Sequence, residues 1–300
     1  MPAAVQARFL DPQVLARIDN LELLARSVVE GFVGGLHRAP HVGHSVDFAE
    51  HRPYMPGDDV RRIDWRLYAR TDRYYVKEFE ADSNANFLVL LDRSRSMQFS
   101  SHGVSKLDYG RYLAACLTHL ARRQRDRVGL VTFDADVVDF VPPSAKHREA
   151  VLHALARLEA GGPGELAQPL SKVAEASRRR GIFVLISDLY EDPDAALRAV
   201  RQLAHRGSDV IVFQLLDPAE VRFPDDAATS YEDLETGERM PVVPDYVREQ
   251  YRALVAEHVA ALGRRFGDSR IDSLMIETTT PLDQALFHYL VRRQRFDRVR

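Results

Sequence analysis

Two stretches of this chain share one design: Phe87-Leu88-Val89-Leu90-Leu91-Asp92 and Ile182-Phe183-Val184-Leu185-Ile186-Ser187-Asp188. Each is an apolar run that ends in an acid. A strand with one wet face alternates apolar and polar residues, so a run without alternation predicts a strand buried on both faces, as in a parallel sheet covered by helices. The acid then stands where the strand leaves the core. Val128 to Phe133 reads as another buried strand and Val210 to Leu216 as a further strand. Between the runs the spacing turns helical. Leu113, Leu117 and Leu120 share one face of a helix from Leu107 to Arg122, and Val151, Leu152, Leu155 and Leu158 mark another, closed by Gly161-Gly162. A third runs from Ala167 to Arg178-Arg179-Arg180-Gly181, its arginines suited to the negative end of the helix dipole. Asp192-Pro193 caps a fourth, carrying Leu197, Val200 and Leu203.

Asp134-Ala135 turns the chain into Asp136 to Val141, expected as an antiparallel edge strand. Thr229 to Val243 reads as a hairpin insertion at the rim of the sheet, centred on Glu235-Thr236-Gly237. A long helix from Asp245 to Phe266, a strand from Ser273 to Glu277 and a helix opened by Thr280-Pro281 follow. This order predicts an α/β fold with a doubly wound, mostly parallel, Rossmann-type sheet flanked by helices, spanning residues 85–300. Residues 1–84 are expected to form a smaller N-terminal α+β region. There Asp11-Pro12 caps a single amphipathic helix through Val14, Ile18, Leu21, Leu24 and Val28, broken at Gly34-Gly35. His37, His41, His44 and His51 follow without the tight spacing of a zinc site and read as structural.

The chemistry concentrates at the first acidic tip, Asp92-Arg93-Ser94-Arg95-Ser96. In an extended or loosely turning segment, alternate residues face one side, so Asp92, Ser94 and Ser96 can converge while Arg93 and Arg95 point away. One carboxylate and two hydroxyls suit a hard cation such as magnesium, which takes oxygen ligands and retains waters. Ligands of doubly wound sheets sit beyond the carboxyl ends of the strands where the winding reverses. A reversal between the two acidic strands would bring Asp188 in as the second carboxylate.

Asp-x-Ser-x-Ser at the end of a first strand resembles the metal-ion-dependent adhesion site of von Willebrand factor A domains. The block Arg52, Tyr54, Pro56-Gly57-Asp58, Arg61, Ile63-Asp64-Trp65 and Ala69-Arg70 sharpens this. It resembles the signature of a bacterial von Willebrand A-like family, domain of unknown function 58, and the similarity runs from about Ser45 through Met97. The resemblance implies a non-enzymatic interaction module. Magnesium would be held by Asp92, Ser94, Ser96 and Asp188, and its open position filled by an Asp or Glu of a client protein. It also implies a MoxR-type AAA ATPase as partner, the pair acting in assembly or maturation of other proteins. One position departs from the pattern: where the von Willebrand A family supplies a threonine, this chain has Gly164, in Gly161-Gly162-Pro163-Gly164-Glu165-Leu166.

Composition excludes little but sets the frame. A formal charge of -3 over 300 residues does not suit a dedicated phosphate binder. The arginine-rich stretch Arg292 to Arg300 therefore reads as solvated charge, and no nucleic-acid partner is expected. Cys116 is the one cysteine, which predicts a buried core thiol and a reducing compartment. No stretch is long and apolar enough to span a membrane, so a cytoplasmic protein is expected. The alternative activity, a magnesium-dependent hydrolase or phosphotransferase at the same strand ends, lacks a phosphate-cradling loop and a second acid two residues after Asp92.

Overall fold

The computed structural model of the protein describes residues 11–18, 20–36, 51–53, 68, 70, 72–77, 85–223, 229–234 and 237–298. The Pro56-Gly57-Asp58-Asp59 block and His37, His41 and His44 lie outside them. In chain order the elements are α1 (Pro12–Leu15), α2 (Leu21–Leu36), β1 (His51–Pro53), β2 (Tyr75–Lys77), β3 (Asn86–Asp92), α3 (Lys106–Arg123), β4 (Arg127–Phe133), β5 (Val137–Ser144), α4 (Arg148–Ala156) and α5 (Ala167–Ala176). They continue with β6 (Gly181–Ser187), α6 (Pro193–Ala204), β7 (Asp209–Leu216), α7 (Pro218–Arg222), β8 (Thr229–Glu232), β9 (Arg239–Val242), α8 (Pro244–Asp268), β10 (Asp272–Glu277) and α9 (Leu282–Arg298).

The main sheet has the order β10-β7-β6-β3-β4-β5. All its neighbours are parallel except β4 and β5, so the edge strand is antiparallel as expected. From β3 the chain steps outward through β4 and β5, then returns to β6 on the other side of β3. The winding therefore reverses between β3 and β6, where Leu91 pairs with Ile186. That reversal sets Asp92 and Asp188 at the same end of neighbouring strands.

The apolar run of β3 explains why the sheet is a double-sided layer. Phe87, Val89 and Leu91 join a cluster with α2, α3, α4 and α9, while Leu88 and Leu90 join one with α5, α6 and α8. Alternate residues of one strand thus feed opposite cores. Each such side chain contributes roughly 1.5–3 kcal/mol by leaving water. Cys116 is buried in the first cluster, where burial raises its thiol pKa. The six-stranded sheet with helices on both faces is the α/β architecture that the alternating runs predicted.

Three local readings need correction. The N-terminal helix is two helices, because Asn20 starts a second one: its Oδ1 accepts from Leu23 N at 3.0 Å and its carbonyl from Leu24 N. That second helix, α2, continues through Gly34 and Gly35 to Leu36. Helix α5 stops at Ala176, short of the arginines, and Arg180 Nε instead donates to Gly207 O at 2.8 Å.

At Gly129 a side chain has no room. A Cβ there would lie 2.6 Å from Val141 O and 2.8 Å from Pro143 N, both backbone atoms of the β5 edge. Gly129→Ala is expected to lower stability by about 1–3 kcal/mol in urea unfolding, because backbone yields less readily than a side-chain tip.

Candidate functional site at the switch between two strands

Asp92 ends β3 with its side chain only 4% exposed. Its Oδ1 accepts from Ser94 N at 2.8 Å, a local turn that Asp favours. Its Oδ2 accepts from Ser187 Oγ at 2.6 Å, which ties the end of β3 to the end of β6. A 3-10 turn over Arg95–Gln98 follows, and Ser94 Oγ lies 3.1 Å from Ser96 Oγ. The carboxylate and the two hydroxyls therefore converge, while Arg95 is exposed and Arg93 Nε lies 3.9 Å from Asp134 Oδ2. Of the extended or loosely turning segment that the sequence suggested, the structure has the turning form, a 3-10 turn.

Asp188 follows β6 and is 3% exposed. The chain turns sharply behind it: Leu189 has φ 56° and its N–H donates to Ser187 Oγ at 3.1 Å. Gln214 Nε2 donates to Asp188 O at 3.2 Å, and His258 Nε2 faces Leu189 O at 3.0 Å. One oxygen of the Asp188 carboxylate is already engaged. Lys106 Nζ donates to Asp188 Oδ2 at 2.8 Å and to Glu220 Oε1 at 2.7 Å, and its charge lies 4.7 Å from the centre of the Tyr190 ring. Lys106 itself is 0% exposed.

Helix geometry explains how an ammonium reaches this point. Ser105 caps α3 by accepting from Asp108 N at 3.0 Å, which makes Lys106 the first helical residue, directly beside the strand ends. Helix N-termini disfavour cations, so the position needs nearby acids. Glu220 belongs to α7, whose Asp217 forms a reciprocal cap: Asp217 accepts from Ala219 N, and Glu220 Oε2 from Asp217 N at 2.7 Å. Asp217 also accepts from Ser101 N at 3.0 Å and from Ser101 Oγ, which pins the loop after the 3-10 turn to the end of β7.

Burial, then the charge of Asp188, pushes the Asp92 carboxyl up to about 7. Burial alone would lower the Lys106 ammonium, yet Asp188 and Glu220 outweigh it and raise its pKa. Glu220 is raised chiefly by burial, against the pull of Lys106. A cation near Asp92 would relieve the cost of ionising it.

The Gly164 loop packs against this point. Gly161 N donates to Arg93 O at 2.6 Å and Arg95 N to Gly162 O at 2.9 Å. A Cβ at Gly164 would lie 2.8 Å from Ser94 Cβ and 3.2 Å from Ser94 Oγ, so a larger residue would press on Ser94. Among the described residues no three His, Cys, Asp or Glu side chains are grouped to hold a metal ion. The convergent donors are one carboxylate and two hydroxyls, a set whose chemistry fits a hard divalent cation on one side.

Lys106, Glu220 and Asp217 were not singled out from the sequence. Asp217 and Glu220 had a usable signal, since Leu215-Leu216-Asp217-Pro218 is another apolar run ending in an acid, with Glu three residues on. Lys106 had none beyond its place at the head of a helix.

The family description "Protein of unknown function DUF58" matches residues 50–261. An uncharacterised protein of Mycobacterium bovis is 30% identical over 269 residues, 88% of this chain and 84% of that one. Among solved structures, conserved hypothetical protein BatB from Bacteroides thetaiotaomicron aligns over 70% of this chain and 98% of its own, with 14% identity and a TM-score of 0.49. The SpRpn10 VWA domain aligns over 67% and 92%, with 11% identity and a TM-score of 0.39. The mostly parallel six-stranded sheet flanked by helices is a doubly wound, Rossmann-like α/β fold. With the signature block and the strand that carries Asp92 both inside the matched span, the chain belongs to the DUF58 family.

Proposed function

We infer that this chain is a non-enzymatic protein-interaction module. Its working surface is a metal-ion-dependent adhesion-type site at the carboxyl ends of β3 and β6. Asp92, Ser94, Ser96 and Asp188 would hold magnesium, which would offer an open position to an Asp or Glu of a client protein. A MoxR-type AAA ATPase is the proposed partner, the pair acting in assembly or maturation of other proteins. The observation that carries the reading is the convergence of Asp92, Ser94 and Ser96 at the point where the winding reverses.

The rim supports recognition by a macromolecule. Tyr190 is 48% exposed beside Asp188, and Arg95 reaches toward Leu234 O in the turn after β8. Met240, Val243 and Tyr246, on β9 and the start of α8, are exposed apolar residues. Such surroundings give a carboxylate-to-metal contact the selectivity it lacks alone. Of the nearby imidazoles, His258 faces a backbone carbonyl through Nε2, and His102 Nδ1 lies 3.3 Å from Asp217.

The test is copurification of the tagged full chain with the MoxR-type ATPase and with clients. Retention in magnesium, and loss both with a chelator and in Asp92→Ala with its circular dichroism unchanged, is the expected result. Retention that ignores the chelator and the substitution would sink the metal-bridge reading.

A further inference from the structure

We propose that Lys106 is the resident counter-cation of this site and sets how weakly it holds a divalent ion. The inference rests on the adhesion-type reading and specifies how its affinity is limited. The ammonium has three directions in which to donate, and three partners surround it: Asp188 at 2.8 Å, Glu220 at 2.7 Å and the face of Tyr190 at 4.7 Å. It is fully buried, and its stem is held at the head of α3 by the Ser105 cap. Such an ammonium stays in place and keeps one oxygen of Asp188 occupied.

The consequence for an arriving ion follows from charge and geometry. A divalent cation at Asp92, Ser94 and Ser96 meets a fixed positive charge bonded to the neighbouring carboxylate, and like charges disfavour each other at short range in a poorly solvated site. Asp188 offers it a partly neutralised carboxylate. Gly164 supplies no side-chain oxygen on the remaining side and presses close to Ser94. The ion therefore rests on a half-shell completed by water, which magnesium tolerates at a loss of affinity. Removing the ammonium would free Asp188 and Glu220 and convert the half-shell into a stronger site. Lys106 thus keeps the second carboxylate folded and satisfied without an ion, and makes ion binding reversible.

The test uses the full chain and manganese as the probe ion, followed by electron paramagnetic resonance and by calorimetric titration. Lys106→Met is expected to bind manganese at least about tenfold more tightly than the natural chain, a change of about 1.4 kcal/mol. Because Lys106→Met leaves buried Asp188 and partly buried Glu220 unbalanced, Lys106→Met/Glu220→Gln is titrated alongside it, with the same direction of change expected. Tighter binding in either variant, abolished by adding Asp92→Asn, supports the proposal. Equal affinity in the natural chain and both variants overturns it and leaves the ion-binding reading standing. Binding by the variants alone supports the role of Lys106 and overturns ion binding by the natural chain. No binding by any of them overturns both.

Discussion

Lys106→Met should cost about 3–5 kcal/mol of folding stability in metal-free buffer at pH 8, read from urea unfolding. The figure is that for removing one partner of a buried ion pair, where the loss comes from the charge left behind. Here two carboxylates are left, Asp188 and Glu220, both within hydrogen-bond reach of the missing ammonium. Methionine replaces the apolar stem closely in volume, so packing contributes little to the change. Two controls separate charge from packing. Lys106→Met/Glu220→Gln should recover part of the loss by removing one unbalanced acid. Lowering the pH should recover part as well, since burial already raises Glu220 and its protonation removes the charge. A loss below about 1 kcal/mol, or one insensitive to pH, would show that the triad carries little of the stability.

The second large effect concerns Asp92. Its folded carboxyl sits at about 7, above the ordinary carboxylate range, through burial first and the charge of Asp188 second. An acid raised in the folded state keeps its proton there while the unfolded chain has lost it, so folding stability falls as pH rises from about 4 through about 7. Asp92→Asn removes that slope. The amide can keep both bonds, its oxygen accepting from Ser94 N and its nitrogen donating to Ser187 Oγ. In metal-free buffer the variant should exceed the natural chain by on the order of 2–4 kcal/mol at pH 8, with the difference vanishing near pH 4. If Asp92 holds magnesium, the ion should raise the thermal midpoint of the natural chain at pH 8 and leave that of Asp92→Asn unchanged. Parallel stability curves from pH 4 to 8 would mean that Asp92 is not buried as a strained acid.

Much of the architecture was legible because burial on both faces leaves a mark on composition. The runs at β3, β4, β6 and β7 are apolar almost throughout, Thr132 and Gln214 apart, and they became the interior strands of the main sheet. The edge strand β5 differed in the expected way, with half of its side chains exposed. Chain ends and caps were less legible. A helix pattern alone could not show that Asn20 starts α2 afresh, because the apolar positions of α1 and α2 fall on a continuous helical spacing across the break. Glycines 34 and 35 did not end α2, since the cost of about 1 kcal/mol per glycine in a helix is small beside the burial of Val29, Phe32 and Val33 just before them.

The candidate site divides along the same line. Local sequence determined the cluster of Asp92, Ser94 and Ser96, because residues within one turn cannot be far apart once the strand ends. It also determined that Asp188 ends a buried strand. Only the tertiary structure decided that β6 lies beside β3, that Gly164 abuts Ser94, and that Lys106 and Glu220 meet at Asp188. Such contacts join positions 82 and 114 residues apart in the chain. A buried charge is tolerated only with partners, and those partners are chosen by the path of the backbone through space. A periodicity records which residues leave water; it carries no record of which distant charge they meet there.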